Sequence, residues 1–345
     1  MHKLSKLHFY DNHKMIFDLK DYSDELNGFI AIHRGNNKHP SFGATRVWNY
    51  RTEGEALEDA LRLSRTMSYK SIMAGLKYGG AKGVVKTSKS KRDKSLLYKY
   101  AEVVNSLEGR FITGADVGVS RDDVKTMRRK SPYFVGTKTD PVRYTALGIY
   151  YSMLVAMGEL DGRESLEGKS VAIQGVGKVG RKLLELIYPY VSKVYVADID
   201  KKRLNFIKDK FTKVNIMGVD DIYKQDVDIY SPNALSNCVR KEILKELKAK
   251  AIVGGANGQL DEANTGDKLF KMGVLYAPDY VVNAGGLIAV VDEYENGTHR
   301  VKRVSRRVEK IADQLKKVIK KSKKSSLPTN RVSDQMAEEI FNKIS

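Results

Sequence analysis

The sequence predicts an α/β protein of two domains, an N-terminal α/β domain followed by a doubly wound parallel sheet. Three observations predict it. A chain of 345 residues carries a prior of about two domains. From Ser170 onward, apolar strand-like runs alternate with helix-like stretches, the pattern of a parallel sheet. The first of those strands runs straight into Gly175-Val176-Gly177-Lys178-Val179-Gly180, a glycine turn of the Gly-x-Gly-x-x-Gly type.

In the N-terminal part, Gly28 to His33 and Thr45 to Trp48 read as strands. Thr52 and Glu55 have the spacing of a capping box. Ala56, Leu57, Ala60, Leu61, Ser64 and Met67 then mark one buried helix face, which puts Lys70 at or just past the helix end. Gly79-Gly80-Ala81 reads as a turn carrying Lys82, with Val84-Val85 as a short strand behind it. A lysine among glycines is open to close approach by a ligand. Two ammonium groups in one pocket repel, which lowers the pKa of at least one and makes it a usable base. The plain alternative is two of many surface lysines. Leu96 to Leu107 reads as a helix and Phe111 to Thr113 as a strand, with Gly114 and Asp116 just beyond it. The polar segment Lys125 to Tyr144, with Pro132, Gly136 and Pro141, reads as the crossing between domains. A helix from Ala146 to Glu159 follows.

In the second part, Ser170 to Gln174 is the strand before the glycine turn and Arg181 to Ile187 the helix after it. Such glycines permit a tight turn and let backbone approach a pyrophosphate, with helix N–H groups behind. The next strand, Lys193 to Ala197, ends in Asp198, eighteen positions after Gly180. An acid there accepts bonds from ribose hydroxyls and disfavours a 2′-phosphate, so NAD is the expected cofactor of a Rossmann domain. Lys201, Lys202 and Arg203 leave room for NADP, or simply open a solvated helix. Three further strands, Val227 to Tyr230, Ala251 to Val253 and Val274 to Tyr276, lead into segments containing Ala234, Asn257 and Asn283. Ligands in open α/β sheets lie outside such strand ends. Beyond about residue 300 the chain reads as helical and basic, with a break at Leu327-Pro328 and one last helix.

Composition narrows the field. Forty-one percent hydrophobic residues suffices for real cores, and no apolar run is long enough to span a bilayer. The single Cys238 cannot form an internal disulfide, and the N-terminus has no long apolar core of a signal peptide, so cytoplasm is the expected compartment. The net charge of +19 raises nucleic acid as a partner. However, Lys316 to Lys324 has no interleaved aromatics, and a solvated helix face is the better reading, so no specific nucleic acid and no membrane partner are expected. No His, Cys and carboxylate cluster has metal-ligand spacing, so no metal is expected.

Several stretches carry a family likeness: Phe29-Ile30-Ala31-Ile32-His33, Gly43-Ala44-Thr45-Arg46-Val47-Trp48, Glu58 to Leu63, and the two-lysine block Met67-Ser68-Tyr69-Lys70 to Gly83. Over nearly its whole length the chain resembles the glutamate/leucine/phenylalanine/valine dehydrogenase superfamily, the leucine and phenylalanine branch most closely. The resemblance implies reversible, NAD-linked oxidative deamination of an L-amino acid to a 2-oxo acid and ammonia, in a cleft closed to water by its two domains. Lys70 would pair with the substrate carboxylate, Lys82 would activate the attacking water, and Asp116 would move protons to and from the amine. Gly43 and Met67 join the substrate site, while Asn257 and Asn283 lie near the nicotinamide and the substrate amino group. Thr145 and Ala234 join the glycine turn and Asp198 in holding the cofactor. The domains implied are 1–140 for substrate and 141–324 for dinucleotide, with about 325–345 packing back on the first, and a homo-oligomer, dimer or larger. This chain departs from the family at Ala44 and Ala81, where glycine is usual. Where glutamate enzymes resemble one another in a lysine gripping the distal carboxylate and a serine, this chain has Phe42 and Val290. Gly114 and Leu287 match the phenylalanine-preferring pair. A large apolar amino acid is therefore expected, phenylalanine somewhat ahead of leucine. The alternatives are a valine-type or other branched-chain enzyme, or a catalytically idle NAD-binding relative.

Overall fold

The structure is a computed structural model and describes residues 7–34, 38–87 and 93–344. Its contacts divide the chain into two units. The first comprises Met1–Thr139, Val290–His299 and Ala337–Ser345, and the second Asp140–Ala289 and Arg300–Met336.

The first unit contains β1 (Met15–Asp18), β2 (Gly28–Ile32), β3 (Ser41–Phe42), β4 (Thr45–Trp48), α1 (Glu53–Met73), β5 (Gly79–Lys86), α2 (Lys94–Ser106), β6 (Phe111–Ile112) and α3 (Arg121–Arg128). The sheet order is β1-β2-β5-β3-β6, with β4 also on β5. β1 and β2, and β2 and β5, run antiparallel; β3 and β4 run parallel to β5. The long α1 starts where Thr52 accepts the Glu55 amide. The other half of the expected capping box is displaced by one residue, since Glu55 accepts from the Arg51 amide. Alternation along the strands sorts two apolar layers. Phe29, Ala31 and Val84 pack with Ala56, Ala60 and Leu61 of α1. Ile30, Ala81 and Val85 pack with Tyr100 and Val104 of α2.

The expected turn at Gly79-Gly80-Ala81 is a strand. β5 runs eight residues and Lys82 lies in its middle. The glycines serve packing, not openness: a Cβ at Gly80 would fall 2.0 Å from the Ser68 nitrogen of α1, and one at Gly83 would fall 1.9 Å from the Tyr100 hydroxyl oxygen. Without side chains there, helices approach both faces of the strand.

The second unit opens with α4 (Pro141–Asp161), which begins five residues before the expected Ala146. Asp140 caps the amides of Val142 and Arg143, and Pro141 sits at the first helical position, where its missing N–H costs nothing. The sheet strands are β7 (Ser170–Gln174), β8 (Lys193–Ala197), β9 (Val214–Ile216), β10 (Ile229–Pro232), β11 (Ala251–Ile252) and β12 (Leu275–Tyr276). Their order is β12-β11-β10-β7-β8-β9, all pairs parallel. Strand order reverses between β7 and β10, the switch point at which such sheets bind ligands. Helices α5 (Lys178–Ile187), α6 (Lys201–Lys210), α7 (Ala263–Lys271) and α8 (Asp279–Val282) connect or follow the strands. Three more helices complete the chain, α9 (Gly285–Asn296), α10 (Val301–Ser325) and α11 (Thr329–Ile344). Leu315 and Ile319 of α10 share a core with Ile149 and Met153 of α4.

The tail divides differently from the sequence reading. Residues up to Met336 group with the second unit, because Thr329 bonds the Tyr276 carbonyl, Tyr280 bonds Ser333 and Asp334, and Arg331 pairs with Asp267. The segment Val290–His299, which the sequence reading left in the dinucleotide domain, groups with the first unit. There the Glu293 carboxylate accepts the amides of Gly136, Thr137, Lys138 and Thr139.

Candidate active site

In the first unit the site grows out of a break in the sheet. β3 pairs with Gly79-Gly80 and β4 with Gly83 to Lys86, leaving Gly43-Ala44 opposite Ala81-Lys82. A Cβ at Gly43 would lie 1.9 Å from the Ala81 carbonyl oxygen, so only glycine lets the chain pass there. Lys82 shares its face of β5 with Gly80 and Val84, the face covered by α1. The end of α1 is pinned to that strand by the Gly80 amide, which donates to Ser68 Oγ at 3.0 Å. Lys70 is buried in the last turn of α1, two residues beyond Ser68, and half-buried Met67 precedes it.

Lys82 is 4% exposed, and its Nζ donates to Asp116 Oδ2 at 2.6 Å. The loop after β6 that carries Asp116 is held by the Thr45 amide on the Gly114 carbonyl. A Cβ at Gly114 would stand 3.0 Å from the Val135 carbonyl oxygen, so even alanine there requires a shift. Arg46 of β4 donates through Nε to the same Asp116 oxygen at 2.9 Å, and through Nη1 to Asp59 Oδ2 at 2.8 Å. Asp59 of α1 also accepts from the Tyr50 hydroxyl and from Arg62.

The electrostatics follow from this packing. Burial is the largest influence on Lys82 and pushes its pKa down; Asp116 opposes that, Arg46 adds to it, and the result lies below the ordinary lysine value. For Asp116, burial pushes upward, but the charges of Lys82 and Arg46 outweigh it and hold the carboxyl well below the usual range. Lys82 is thus depressed, but by other causes than the expected repulsion between two lysines: burial comes first, and Arg46 is the cationic neighbour that lowers it further. Arg46 has no assigned role in the sequence reading; a long-range pair between a strand arginine and a helix aspartate leaves no local spacing to find.

The proposed side-chain residues lie as follows. Phe42 is fully buried, edge-on to Tyr78 with centroids 4.7 Å apart and to Tyr294 at 5.2 Å. It therefore backs an aromatic cluster and exposes no surface of its own. Val290 stands beside Gly136, within van der Waals contact of a Cβ placed there. Leu287, Asn257 and Asn283 belong to the second unit, where Asn283 Nδ2 donates to Asn257 Oδ1 at 2.9 Å.

The glycine turn forms at the end of β7 in the second unit. Gly175 has φ 92°, and a Cβ on it would press to 2.8 Å from the Ala234 nitrogen beyond β10. A Cβ at Gly180 would lie 1.9 Å from the Gly175 carbonyl oxygen, so the third glycine lets α5 close on the strand. Beside the turn lies a cavity of about 770 Å³ lined by Gly175, Gly177, Asp198, Asn233, Ala234 and Tyr223, among others. Val176 and Lys178 line a neighbouring cavity of about 400 Å³ with Arg181, Lys202 and Arg203. Thr145, Val179 and Asn257 line neither. Asp198 Oδ2 accepts the Val176 amide at 2.8 Å and Oδ1 the Asp200 amide at 2.9 Å, with Arg203 Nη1 at 3.5 Å. The acid thus fixes the turn. A turn shaped by glycine, a helix N-terminus behind it and an acid at the next strand end fit a dinucleotide. Among the described residues, no group of three or more His, Cys, Asp or Glu could hold a metal ion, and no helix is long and apolar enough to cross a membrane.

Comparison with known proteins places this arrangement. Residues 13–137 match the model of the Glu/Leu/Phe/Val dehydrogenase dimerisation domain, and residues 191–340 match that of the Glutamate/Leucine/Phenylalanine/Valine dehydrogenase domain. The glycine turn lies between the two matches, so its reading rests on its own geometry. The chain is 37% identical to leucine dehydrogenase of Bacillus subtilis over 337 residues, 96% of this chain and 91% of the relative. It is 38% identical to phenylalanine dehydrogenase of Thermoactinomyces intermedius over 341 residues, 96% and 92% of the two chains. The crystal structure of L-tryptophan dehydrogenase from Nostoc punctiforme superposes with a TM-score of 0.85 at 34% identity, covering 99% of this chain and 98% of that one. The fold, the sheet-break lysine with its aspartate and these likenesses agree: the chain belongs to the Glu/Leu/Phe/Val dehydrogenase family and is an amino-acid dehydrogenase.

Proposed function

We propose that the protein catalyses the reversible, NAD-linked oxidative deamination of a large apolar L-amino acid to its 2-oxo acid and ammonia. The observation that carries the reading is the pair of buried Lys82 and half-buried Asp116, 2.6 Å apart, with the lysine depressed and the aspartate held well below its usual range. Burial lowers the pKa of a lysine and so favours its basic form, and Lys82 is buried. Gly175, Gly177 and Asp198 would hold NAD at the glycine turn, where it would supply the acceptor for the hydride of the substrate α-carbon. The rest falls to the protein. Lys70 binds the substrate carboxylate. Asp116 takes a proton from the substrate amine, leaving an imine once the hydride has gone. Lys82 removes a proton from water as its oxygen bonds to the imine carbon. As the C–N bond of the carbinolamine breaks, Asp116 returns a proton to the nitrogen, the hydroxyl proton passes to water, and the 2-oxo acid and ammonia are left. Asp198 favours NAD, because its carboxylate would repel a 2′-phosphate.

For the side chain, Phe42 supports an apolar substrate, because it stands where a lysine would grip a distal carboxylate and backs the rings of Tyr78 and Tyr294 instead, so a charged group there would lack a partner. Gly114 and Leu287 support phenylalanine ahead of leucine. Tryptophan is the second reading, favoured by the cluster of Phe42, Tyr78 and Tyr294 and by the likeness to the Nostoc enzyme. The match to a dimerisation domain supports a homo-oligomer, dimer or larger. The test is a panel of L-phenylalanine, tryptophan, leucine, valine and glutamate with NAD at alkaline pH, read as nicotinamide reduction. Efficiency highest for phenylalanine is expected. Glutamate winning would end the pocket argument, and turnover of none would end the enzymatic reading.

A further inference from the structure

Lys82 and Arg46 bind the same oxygen of Asp116, and that sharing has a consequence for the chemistry. Lys82 Nζ approaches Oδ2 at 2.6 Å and Arg46 Nε at 2.9 Å. Oδ1 has no hydrogen-bond partner among the described residues. A carboxylate gripped twice at one oxygen cannot rotate freely about its Cβ–Cγ bond, so the other oxygen is held in one place. Arg46 is itself held. Its Nη1 donates to Asp59 Oδ2 at 2.8 Å, and Asp59 is fixed by the Tyr50 hydroxyl at 2.5 Å and Arg62 at 2.6 Å. The planar guanidinium thus spans a strand, a helix and a loop, which an ammonium on a flexible stem does not do.

We propose that Arg46 is a positioning residue for the deamination: it presents Asp116 Oδ1 to the reacting amine and sets a second positive charge beside Lys82. The inference rests on the proposed roles of Lys82 and Asp116 and adds to them the group that couples the two. The charged and titratable groups around Arg46 are Asp116 from the loop after β6, Asp59 and Arg62 from α1, Tyr50 from the loop after β4, and Lys82 from β5. The sign of its effect follows. A cation beside Lys82 favours the neutral lysine, and beside Asp116 it favours the carboxylate. Both forms are those the reaction needs, so Arg46 extends activity toward lower pH.

The test compares Arg46→Met and Arg46→Lys with the unmodified enzyme. In Arg46→Met, kcat should fall about 10²-fold, the scale of a misplaced catalytic group, with KM changed little. The acid limb of its pH profile should move to higher pH. In protein carrying ¹³C-labelled lysine, the NMR titration midpoint of Lys82, assigned by its absence in Lys82→Met, should rise. Arg46→Lys keeps the charge but reaches one carboxylate, so it should restore the midpoint without restoring kcat. Asp59→Asn cuts the anchor and spares the Arg46 charge; it should lower kcat, and because Asp59 raises the Lys82 value, the Lys82 midpoint should not rise. A folded Arg46→Met with unchanged kcat, limb and midpoint overturns the proposal, as does a raised KM at full kcat, which would make Arg46 a substrate ligand. An unmodified protein that turns over no amino acid defeats the functional reading instead; the Lys82 midpoint then still decides whether Arg46 sets its charge.

Discussion

Lys82, the proposed base, is carried by a strand rather than a loop. Flanking strands and α1 hold it at 4% exposure, and loss of water destabilises the ammonium. Lys82→Ala should reduce turnover by about 10²–10⁴-fold, the usual share of an acid–base group. Cofactor affinity, measured by NADH fluorescence, should stay within a few-fold, since the glycine turn and Asp198 lie in the other unit. Near-normal turnover in that variant would remove Lys82 from the mechanism. Asp198 works differently. Its oxygens already hold the Val176 and Asp200 amides, so it shapes the turn in addition to the ribose contact proposed for it. Asp198→Ser should therefore narrow the preference for NAD over NADP and also weaken NAD itself. Equal kinetic efficiency of the unmodified enzyme with both cofactors would refute the assigned preference.

Among the elements, the crossing segment is the least obvious and the most firmly tied. Glu293, 4% exposed on α9, accepts four consecutive amides from Gly136 to Thr139 at 2.8 to 3.1 Å. Glu293→Ala would leave the buried Thr139 amide without its acceptor, which costs about 1–3 kcal/mol. Denaturant unfolding should show a loss of that size; a variant as stable as the parent would mean that water or another group replaces the carboxylate. Nothing near Glu293 in sequence announces this role, because its partners lie more than 150 positions away. The same distinction explains which elements were legible. β4, β7 and β8 fall where apolar alternation places them, since neighbours along the chain carry that signal. The glycine turn was equally plain. β5 was misread because Gly-Gly-Ala is turn chemistry locally, whereas its glycines are required by Ser68 and Tyr100 from distant helices. α4 began early on a signal that was present, the Asp140-Pro141 cap, and that was taken only as a break. Lys70 and Lys82 drew notice by their setting among glycines at a helix end, while the roles proposed for them and for Asp116 come from family likeness. Arg46, which joins the last two, depends on contacts that only the folded chain creates.

At the scale of the whole molecule the open question is the charge of +19. Its densest run lies on α10, whose apolar stripe of Val304, Val308, Ile311, Leu315 and Val318 is buried, leaving the lysines on the opposite side. A helix that has spent its apolar face on the core cannot also offer that face to a partner. Some of the charge is answered locally, as Lys316 pairs with Glu164 and Lys323 with Glu159. Exposed pairs of this kind contribute little to stability, and beyond about 8 Å at physiological salt the remaining field is screened. What remains is a diffuse basic surface, with no element shaped to read bases among the described residues. Such a surface binds polyanions by releasing their counterions, so its affinity falls steeply with salt and ignores sequence. DNA duplexes of unrelated sequence should therefore bind alike at low salt and dissociate together as salt rises. Fluorescence anisotropy across a salt series would show this. Replacing Lys316, Lys317, Lys320 and Lys321 with glutamine should flatten the salt slope and leave amino-acid turnover unchanged. Tight, sequence-selective binding at physiological salt would mean that the charge serves a nucleic-acid partner after all, and α10 would then be the first element to re-examine.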